Sequence, residues 1–240
     1  MISPCAIACT QLPKSDGDNG IALIAVANWG SRGKTARSIC VRDGLQIVRP
    51  AIEPDASAAS YVFAAAALVG GRATVAGLGE GSLQGDLAFV DVLEQMGAQV
   101  ERGAASTSVT GVGALRGVEV DMSQLSDTAP TLAVVAAFAE GPTRMTGIGF
   151  IRGKETDRVG NVVAELRRLG VEADEEPDGL TIRPGGGPLR PATIQTYDDH
   201  RMAMSFAVAG TRSWGITIRD VECVNKTYPE FFEDLKRLRQ

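Results

Sequence analysis

Three aspartates recur at a fixed spacing along the chain. Asp55, Asp127 and Asp199 stand 72 residues apart. Each one opens an Ala-rich apolar segment of helical character, and an acidic residue suits the N-cap or first turn of a helix. Because a fixed period is typical of repeated structural units, the 240 residues are expected to contain three copies of one unit.

Each copy carries the same order of predicted elements. A strand precedes the aspartate, the apolar helix follows it, and a second strand and a second helix come next. In copies one and two the second helix ends at Gly97 or Gly170, and two further strands follow. The unit is βαβαββ, and we predict an α/β (α+β) domain with pseudo-threefold symmetry over residues 45–240. The predicted strands are 45–52, 73–78, 98–102, 106–111, 118–122, 143–148, 171–175, 179–183, 192–197 and 215–220.

The third copy lacks the closing pair of strands. The chain stops at Gln240, directly after the second helix of that copy. Within residues 1–44, the segments 21–28 and 36–42 have the composition of strands. We predict that they complete the third unit, because its sheet edge would otherwise stay uncovered. The alternative is a leader without a place in the fold.

Charge and composition exclude several classes of protein. The chain has 24 basic and 29 acidic residues, a net charge of -5, which argues against a nucleic-acid or anionic-membrane surface. No apolar run approaches the roughly 20 residues that span a bilayer, and we expect a cytoplasmic protein. The single His200 argues against a multi-histidine metal site. The four cysteines form no metal-binding pattern and are predicted to be reduced thiols: Cys5, Cys9, Cys40 and Cys223.

The residues suited to chemistry stand at predicted helix starts. The segments 154–158, 198–201 and 225–227 supply Lys154, Arg158, Arg201 and Lys226. Helix N-termini favour phosphate and carboxylate groups, so these cations predict a site for a small polyanion. Asp127 and Glu155 add carboxylates in the same region, which suit proton transfer. The alternative for 154–158 is a solvated charge pattern on a helix face.

Six stretches of the sequence resemble the EPSP synthase (5-enolpyruvylshikimate-3-phosphate synthase) family over residues 45–240. The two most specific are 154–158, which reads KETDR, and 198–204, which reads DDHRMAM. The resemblance implies two similar domains, each of three βαβαββ units, of which this chain is similar to the C-terminal one. It also implies that strands from the N-terminus join that domain. The other stretches are 53–61, 83–86, 126–129 and 226–229.

The resemblance also implies a reaction. Enolpyruvyl passes from phosphoenolpyruvate to the 5-hydroxyl of shikimate 3-phosphate and phosphate is released, without a metal or organic cofactor. Asp127 resembles the base at the 5-hydroxyl, and Glu155 the acid/base group near the phosphoenolpyruvate methylene. Lys154 resembles a lysine on the shikimate-phosphate side. The inhibitor glyphosate is expected to compete for the cations that resemble the phosphoenolpyruvate site, Arg158, Arg201 and Lys226.

Part of the family pattern is missing from this chain. The other domain, which supplies most shikimate-phosphate contacts in the family, has no counterpart, and Phe150 stands where the family often has a polar residue. One hypothesis is a half-enzyme, weakly active alone or completed by self-association or by a chain with the other domain. A second is a remnant that binds phosphoenolpyruvate or glyphosate without turnover. A sister enzyme acting on UDP-N-acetylglucosamine fits the KETDR and DDHRMAM strings less well.

Overall fold

The computed structural model describes the backbone of Ala22–Ala25 and all of residues 52–237. Within these ranges the chain forms ten strands and six α-helices, joined by loops and short 3-10 turns. The strands are β1 (Ala22–Ala25), β2 (Arg72–Ala76), β3 (Gln99–Arg102), β4 (Ser106–Thr110), β5 (Glu119–Asp121), β6 (Thr143–Thr146), β7 (Glu172–Glu176), β8 (Gly179–Arg183), β9 (Ala192–Ile194) and β10 (Ile216–Ile218). The helices are α1 (Ala56–Val69), α2 (Phe89–Gln95), α3 (Ala129–Ala136), α4 (Arg158–Arg168), α5 (His200–Arg212) and α6 (Phe231–Arg237).

The sheets repeat one topology, as the βαβαββ unit predicts. The first sheet has the order β1-β2-β4-β3 and the second β5-β6-β8-β7. In both, the first pair is parallel and the other two pairs are antiparallel. The third sheet is the parallel pair β10-β9, so among the described residues the third unit has no antiparallel strands. Among the described residues, two units therefore have a four-stranded sheet and the third has a sheet of two strands.

The pairing of β1 corrects one prediction. We expected the segment 21–28 to complete the third unit, but Ala22–Ala25 pairs in parallel with β2 of the first unit. It occupies the sheet position that the repeat assigns to 45–52, equivalent to β5 in the second unit. The physical reason is that, without β1, this edge of β2 would leave a row of backbone N–H and C=O groups unpaired. An extended segment within reach can satisfy them. The predicted strand 36–42 and all of 45–52 except its last residue lie outside the described residues, and the division at residue 44 stays a prediction.

Three apolar helices form the centre of the domain. α1, α3 and α5 contact one another in pairs. Every residue of α3 is buried, and so are twelve of the fourteen residues of α1. Because such helices have no polar face to turn toward water, they must lie inside the packed core. Small residues, mainly alanine, allow these helices to pack closely against one another.

The loops that enter the helices meet at one end of the domain. β5 and β6 are parallel, so the chain leaves both at the same end before it enters α3 and α4. β9 and β10 are likewise parallel and lead into α5 and toward α6. In the described part of the chain, no helix is long and apolar enough to cross a membrane.

Candidate active site

The buried guanidinium of Arg158, the first residue of α4, lies at the centre of a charged cluster. Its Nε donates to Oδ2 of Asp199 over 2.7 Å, and its Nη2 donates to Glu155 Oε2 over 2.6 Å. Longer bonds of 3.2 Å to Asp127 and 3.3 Å to Asp199 use two further N–H groups. The side chain is only 1% exposed. Four of its five N–H donors are therefore bound to carboxylates.

Arg201 joins the second and third copies of the repeat. Its Nη2 donates to Asp127 Oδ2 over 2.7 Å, and its Nη1 donates to the backbone oxygen of Asp127 over 3.2 Å. Asp127 lies in the 3-10 turn that leads into α3, and it accepts from both arginines. Its carboxylate does not cap the helix. The carboxylate pairs with Arg158 and Arg201 instead.

Glu155 is paired with a cation from the third copy. Lys226 Nζ donates to Glu155 Oε1 over 2.6 Å. This hydrogen bond is the main cause that lowers the pKa of Glu155 to about 2. Arg158 contributes to the same shift. Paired in this way, Glu155 is an ionised acceptor at neutral pH.

Five predicted site residues therefore converge, as the repeat predicts, although not all lie at helix N-termini. α4 begins at Arg158, with Asp157 as its N-cap, so that Lys154 and Glu155 lie in the loop before the helix. Lys226 ends the 3-10 turn Val221–Lys226. From this loop Glu155 reaches both Arg158 and Lys226. The converging residues are Asp127, Glu155, Arg158, Arg201 and Lys226.

Lys154 is the sixth predicted site residue. It is exposed, and within residues 52–237 it makes no hydrogen bond or ion pair that would join it to the cluster. It precedes Glu155, so its ammonium group stands at the solvent side of the same loop. Phe150, 57% exposed, lies in the 3-10 turn before this loop.

The arrangement can bind an anion and transfer a proton. Three cations, Arg158, Arg201 and Lys226, face three carboxylates. Lys226 is 58% exposed, so an anionic ligand could take over its ammonium group with little rearrangement. Within residues 52–237, no group of three or more histidine, cysteine or acidic side chains is placed to hold a metal ion.

Residues 33–235 match the family described as EPSP synthase (3-phosphoshikimate 1-carboxyvinyltransferase). The chain belongs to the EPSP synthase family. The resemblance found in the sequence is thereby confirmed.

Individual relatives support this assignment. The 3-phosphoshikimate 1-carboxyvinyltransferase of Nostoc punctiforme is 52% identical over 181 residues, which are 75% of this chain and 42% of that protein. The enzyme of the same name from Methanoculleus marisnigri is 48% identical over 184 residues, 77% of this chain and 43% of that protein. The chain spans less than half the length of these curated relatives.

Solved structures agree with the fold. An EPSP synthase from Acinetobacter baumannii superposes with a TM-score of 0.71 at 32% identity, over 78% of this chain and 46% of that one. The enolpyruvyl transferase NikO from Streptomyces tendae gives a TM-score of 0.60 at 25% identity, over 78% and 43%. The predicted enolpyruvyl-transferase-like architecture is confirmed.

Several residues in or near the charged cluster were not predicted as site residues from the sequence. Asp199 was predicted only as a helix cap, but its carboxylate is 0% exposed and also binds Arg158. Tyr61 is buried beside Arg201, and burial raises its pKa to about 12, an effect that Arg201 partly opposes. Asp86 accepts a hydrogen bond from Ser57, and burial raises the pKa of Asp86. The stretches 53–61 and 83–86 were a signal for these contacts, since both resembled the family without an assigned role.

Arg152 was also missed. It donates to Asp157 over 3.0 Å, to Glu175 over 2.7 Å and to the backbone oxygen of Glu176 over 2.8 Å. Asp157 is the N-cap of α4. Arg152 therefore ties the loop that carries Glu155 to strand β7.

Proposed function

We propose that this chain forms one wall of an EPSP synthase active site. Completed by a second wall, it would transfer enolpyruvyl from phosphoenolpyruvate to the 5-hydroxyl of shikimate 3-phosphate and release phosphate. The observation that carries this proposal is the network in which Arg158, Arg201 and Lys226 hold Asp127 and Glu155 at one end of the domain. It combines anion-binding groups with two carboxylates, as the reaction requires.

The cations have different parts in this proposal. Arg201 and Lys226 would hold the phosphate and carboxylate of phosphoenolpyruvate, because each is partly exposed. Arg158 is almost fully buried, and only one N–H, on Nη1, lacks a partner among the described residues. We therefore expect Arg158 mainly to orient Asp127 and Glu155. Lys154 would meet the phosphate of shikimate 3-phosphate, since its exposed ammonium group lies outside the ion-pair network.

Ligand binding would prepare Glu155 for proton transfer. Its pKa of about 2 is set first by the hydrogen bond from Lys226. When the anionic substrate draws Lys226 away, this stabilisation of the carboxylate is lost and the pKa of Glu155 rises. Glu155 can then carry a proton to the phosphoenolpyruvate methylene. A group that acts as general acid is best when its pKa lies near the working pH.

Asp127 would act at the other reacting atom. Protonation of the methylene carbon leaves an electrophilic carbon, to which the 5-hydroxyl oxygen adds while Asp127 accepts its proton. Loss of the proton from the new methyl group, together with the departing phosphate, then restores the double bond. The contacts of Asp127 with both arginines fix its carboxylate for this task. Glyphosate, an anion, would compete for Arg201 and Lys226.

The described residues supply one wall of the proposed site. A site that is open on one side leaves its charges in contact with water, which weakens their effect on a transition state. We therefore expect slow turnover alone and faster turnover after self-association or when a chain supplies the other half. The second candidate function, binding without turnover, is favoured by the same open geometry.

One assay separates these possibilities. Phosphate release from phosphoenolpyruvate is measured with shikimate 3-phosphate, for the chain alone and with a chain that carries the N-terminal half of a relative. Glu155→Gln should lower the rate by about 10²–10⁴-fold. Glu172→Gln, an exposed β7 residue paired with Arg183, is the matched control. The binding-only function would be favoured if phosphate were released neither by the chain alone nor with the added half. Calorimetry should then still show that phosphoenolpyruvate binds and that glyphosate displaces it.

A further inference from the structure

Glu165 is a buried carboxylate without a part in the proposed reaction. It lies within α4 and its side chain is 0% exposed. It accepts a hydrogen bond from the Tyr197 hydroxyl over 2.7 Å and from the backbone N–H of Gln195 over 3.2 Å. Arg168 donates to it over 3.0 Å. Glu165 thus joins α4 to the segment that leads into α5.

That segment contains an unusual backbone turn. Tyr197 has a φ of 55° and Asp198 a φ of 56°. Two consecutive residues with side chains in the left-handed region are disfavoured, since the β-carbon approaches the backbone, and a bulky residue such as tyrosine is rare there. Asp199, which caps α5 and binds Arg158, follows directly. Backbone strain therefore lies immediately before the buried carboxylate of the site.

The other two copies of the repeat provide an internal comparison. Their equivalent positions are Leu125 and Ser126 in copy two and Glu53 and Pro54 in copy one. None of these four residues has a positive φ. When the second helices are aligned on Gly97 and Gly170, the residue of copy one equivalent to Glu165 is Val92, which is apolar and buried. The buried Glu165 and the left-handed turn therefore occur together, next to Asp199, the N-cap aspartate that also binds Arg158.

We propose that Glu165 and Tyr197 are positioning residues whose hydrogen bond holds the left-handed turn at Tyr197–Asp198 and so fixes Asp199 against Arg158. α4 then holds the same segment at two points, through Arg158 at its start and Glu165 further along. If the turn relaxes, Asp199 moves away from Arg158, which in turn orients Asp127 and Glu155. Only the catalytic consequence of this proposal rests on the proposed function.

His200 is a natural reporter of the turn. It is the one histidine of the chain, so its imidazole gives a single set of NMR signals. It is buried next to Asp199, with Nδ1 3.7 Å from Oδ1 of that residue. Burial lowers the pKa of His200, the charge of Arg201 adds to this effect, and Arg158, Asp199 and Glu155 also face the ring. A shift of Asp199 would therefore change both the spectrum and the titration of His200.

The experiment records this NMR titration in the full chain and needs no turnover. Tyr197→Phe removes only the hydroxyl, and we expect the His200 titration to shift, because Asp199, whose charge raises the pKa of His200, moves relative to the ring. Adding Asp198→Gly should return the titration to that of the unchanged chain, because glycine adopts positive φ readily. Tyr228→Phe, which removes a hydroxyl bonded to Asp234 in the third unit, is the matched control and should leave His200 unchanged.

Two results would overturn the proposal. One is a His200 titration in Tyr197→Phe identical to that of the unchanged chain. The other is a changed titration that Asp198→Gly does not restore, since the hydroxyl would then act otherwise than by holding the turn. If Tyr197→Phe does not fold, Asp198→Gly alone still tests the strain: it should raise the melting temperature and leave His200 unchanged, and a lowered melting temperature contradicts the proposal. No phosphate release by the unchanged chain, alone or with the other half, while His200 responds as expected, would instead count against the proposed function.

Discussion

Two corners of the domain stand at equivalent places in the repeat and use their polar groups differently. In the first copy, Asp55 accepts from the backbone N–H of Ala58 over 3.1 Å and caps α1. Nearby, Glu53 accepts from the Gln84 amide over 2.9 Å and from the Ser82 hydroxyl over 2.6 Å. All of these donors are neutral. In the second copy, Asp127 instead accepts from two arginines and caps nothing.

The third copy combines both arrangements. Asp199 accepts from the backbone N–H of Arg201 over 2.8 Å as the cap of α5, and it also binds Arg158. The same position of one unit can therefore serve helix stability, charge pairing or both. The candidate active site lies where the second and third copies meet, because these copies bring the cations to that corner.

The largest expected effect is the loss of the central guanidinium. Arg158→Met would leave the buried carboxylate of Asp199 without its arginine, and it should lower the free energy of unfolding by about 3–5 kcal/mol. Arg144→Met is the matched control, because Arg144 makes exposed ion pairs with Glu119 and Glu176. Its cost should stay below about 1 kcal/mol. Chemical denaturation measures both, and equal losses would contradict the contrast between buried and exposed pairs.

The next effect is on ligand affinity rather than on stability. Lys226→Met should weaken the binding of phosphoenolpyruvate roughly ten- to hundredfold, as expected for one lost charged hydrogen bond. The fold should be little affected, since Lys226 is exposed. Lys236→Met, an exposed lysine paired with Glu233, is the control and should bind as the unchanged chain does. Calorimetry provides the comparison, and equal affinities of the two variants would exclude Lys226 from the site.

A smaller effect tests the neutral corner. Asp55→Ala removes the cap of α1 and should cost about 1 kcal/mol of unfolding free energy. Asp55→Ser keeps an acceptor oxygen and should recover most of this loss, because the first copy needs a hydrogen-bond acceptor and no charge. Thermal and chemical unfolding would show the difference. A large loss for the serine variant would mean that the charge of Asp55 is also required.

The smallest effect is the pH dependence that Glu155 gives to stability. Its pKa falls from 4.5 to about 2 on folding, first because of Lys226, so its stabilising contribution is present above pH 4.5 and is lost as the pH falls through about 2. Since the pair is partly exposed, we expect less than about 1 kcal/mol. The measurement compares unfolding of the unchanged chain and Glu155→Gln across this range.

Salt sharpens the same comparison. The pKa of Glu53 is also lowered, but by neutral donors, Gln84 first and then Ser82. About 1 M salt should therefore reduce the contribution of Glu155 and leave that of Glu53 unchanged, because screening acts on charge pairs. Glu53→Gln is the control variant. An equal salt response of the two glutamates would contradict the division between the corners.

Much of the fold was predictable because it depends on local sequence. Aspartate at a helix start and glycine at a helix end predicted the helices of copies one and two, and Gly97 and Gly170 do have positive φ. The N-terminal strand was placed wrongly, because the pairing of an edge strand depends on which sheet edge lies in reach. The left-handed turn at Tyr197 was not predictable either, since no local preference favours tyrosine there.

By itself, the sequence determined the three-unit plan, the family and the residues that meet at one end, because a periodic chain places equivalent loops at equivalent positions. Only the tertiary structure decided how their charges combine. Arg158 and Asp199 are 41 residues apart, Lys226 and Glu155 are 71, and Arg201 and Asp127 are 74. Pairing and burial over such separations depend on how the copies pack against one another. That packing makes Arg158 a buried centre of the site and leaves Lys226 open to a ligand.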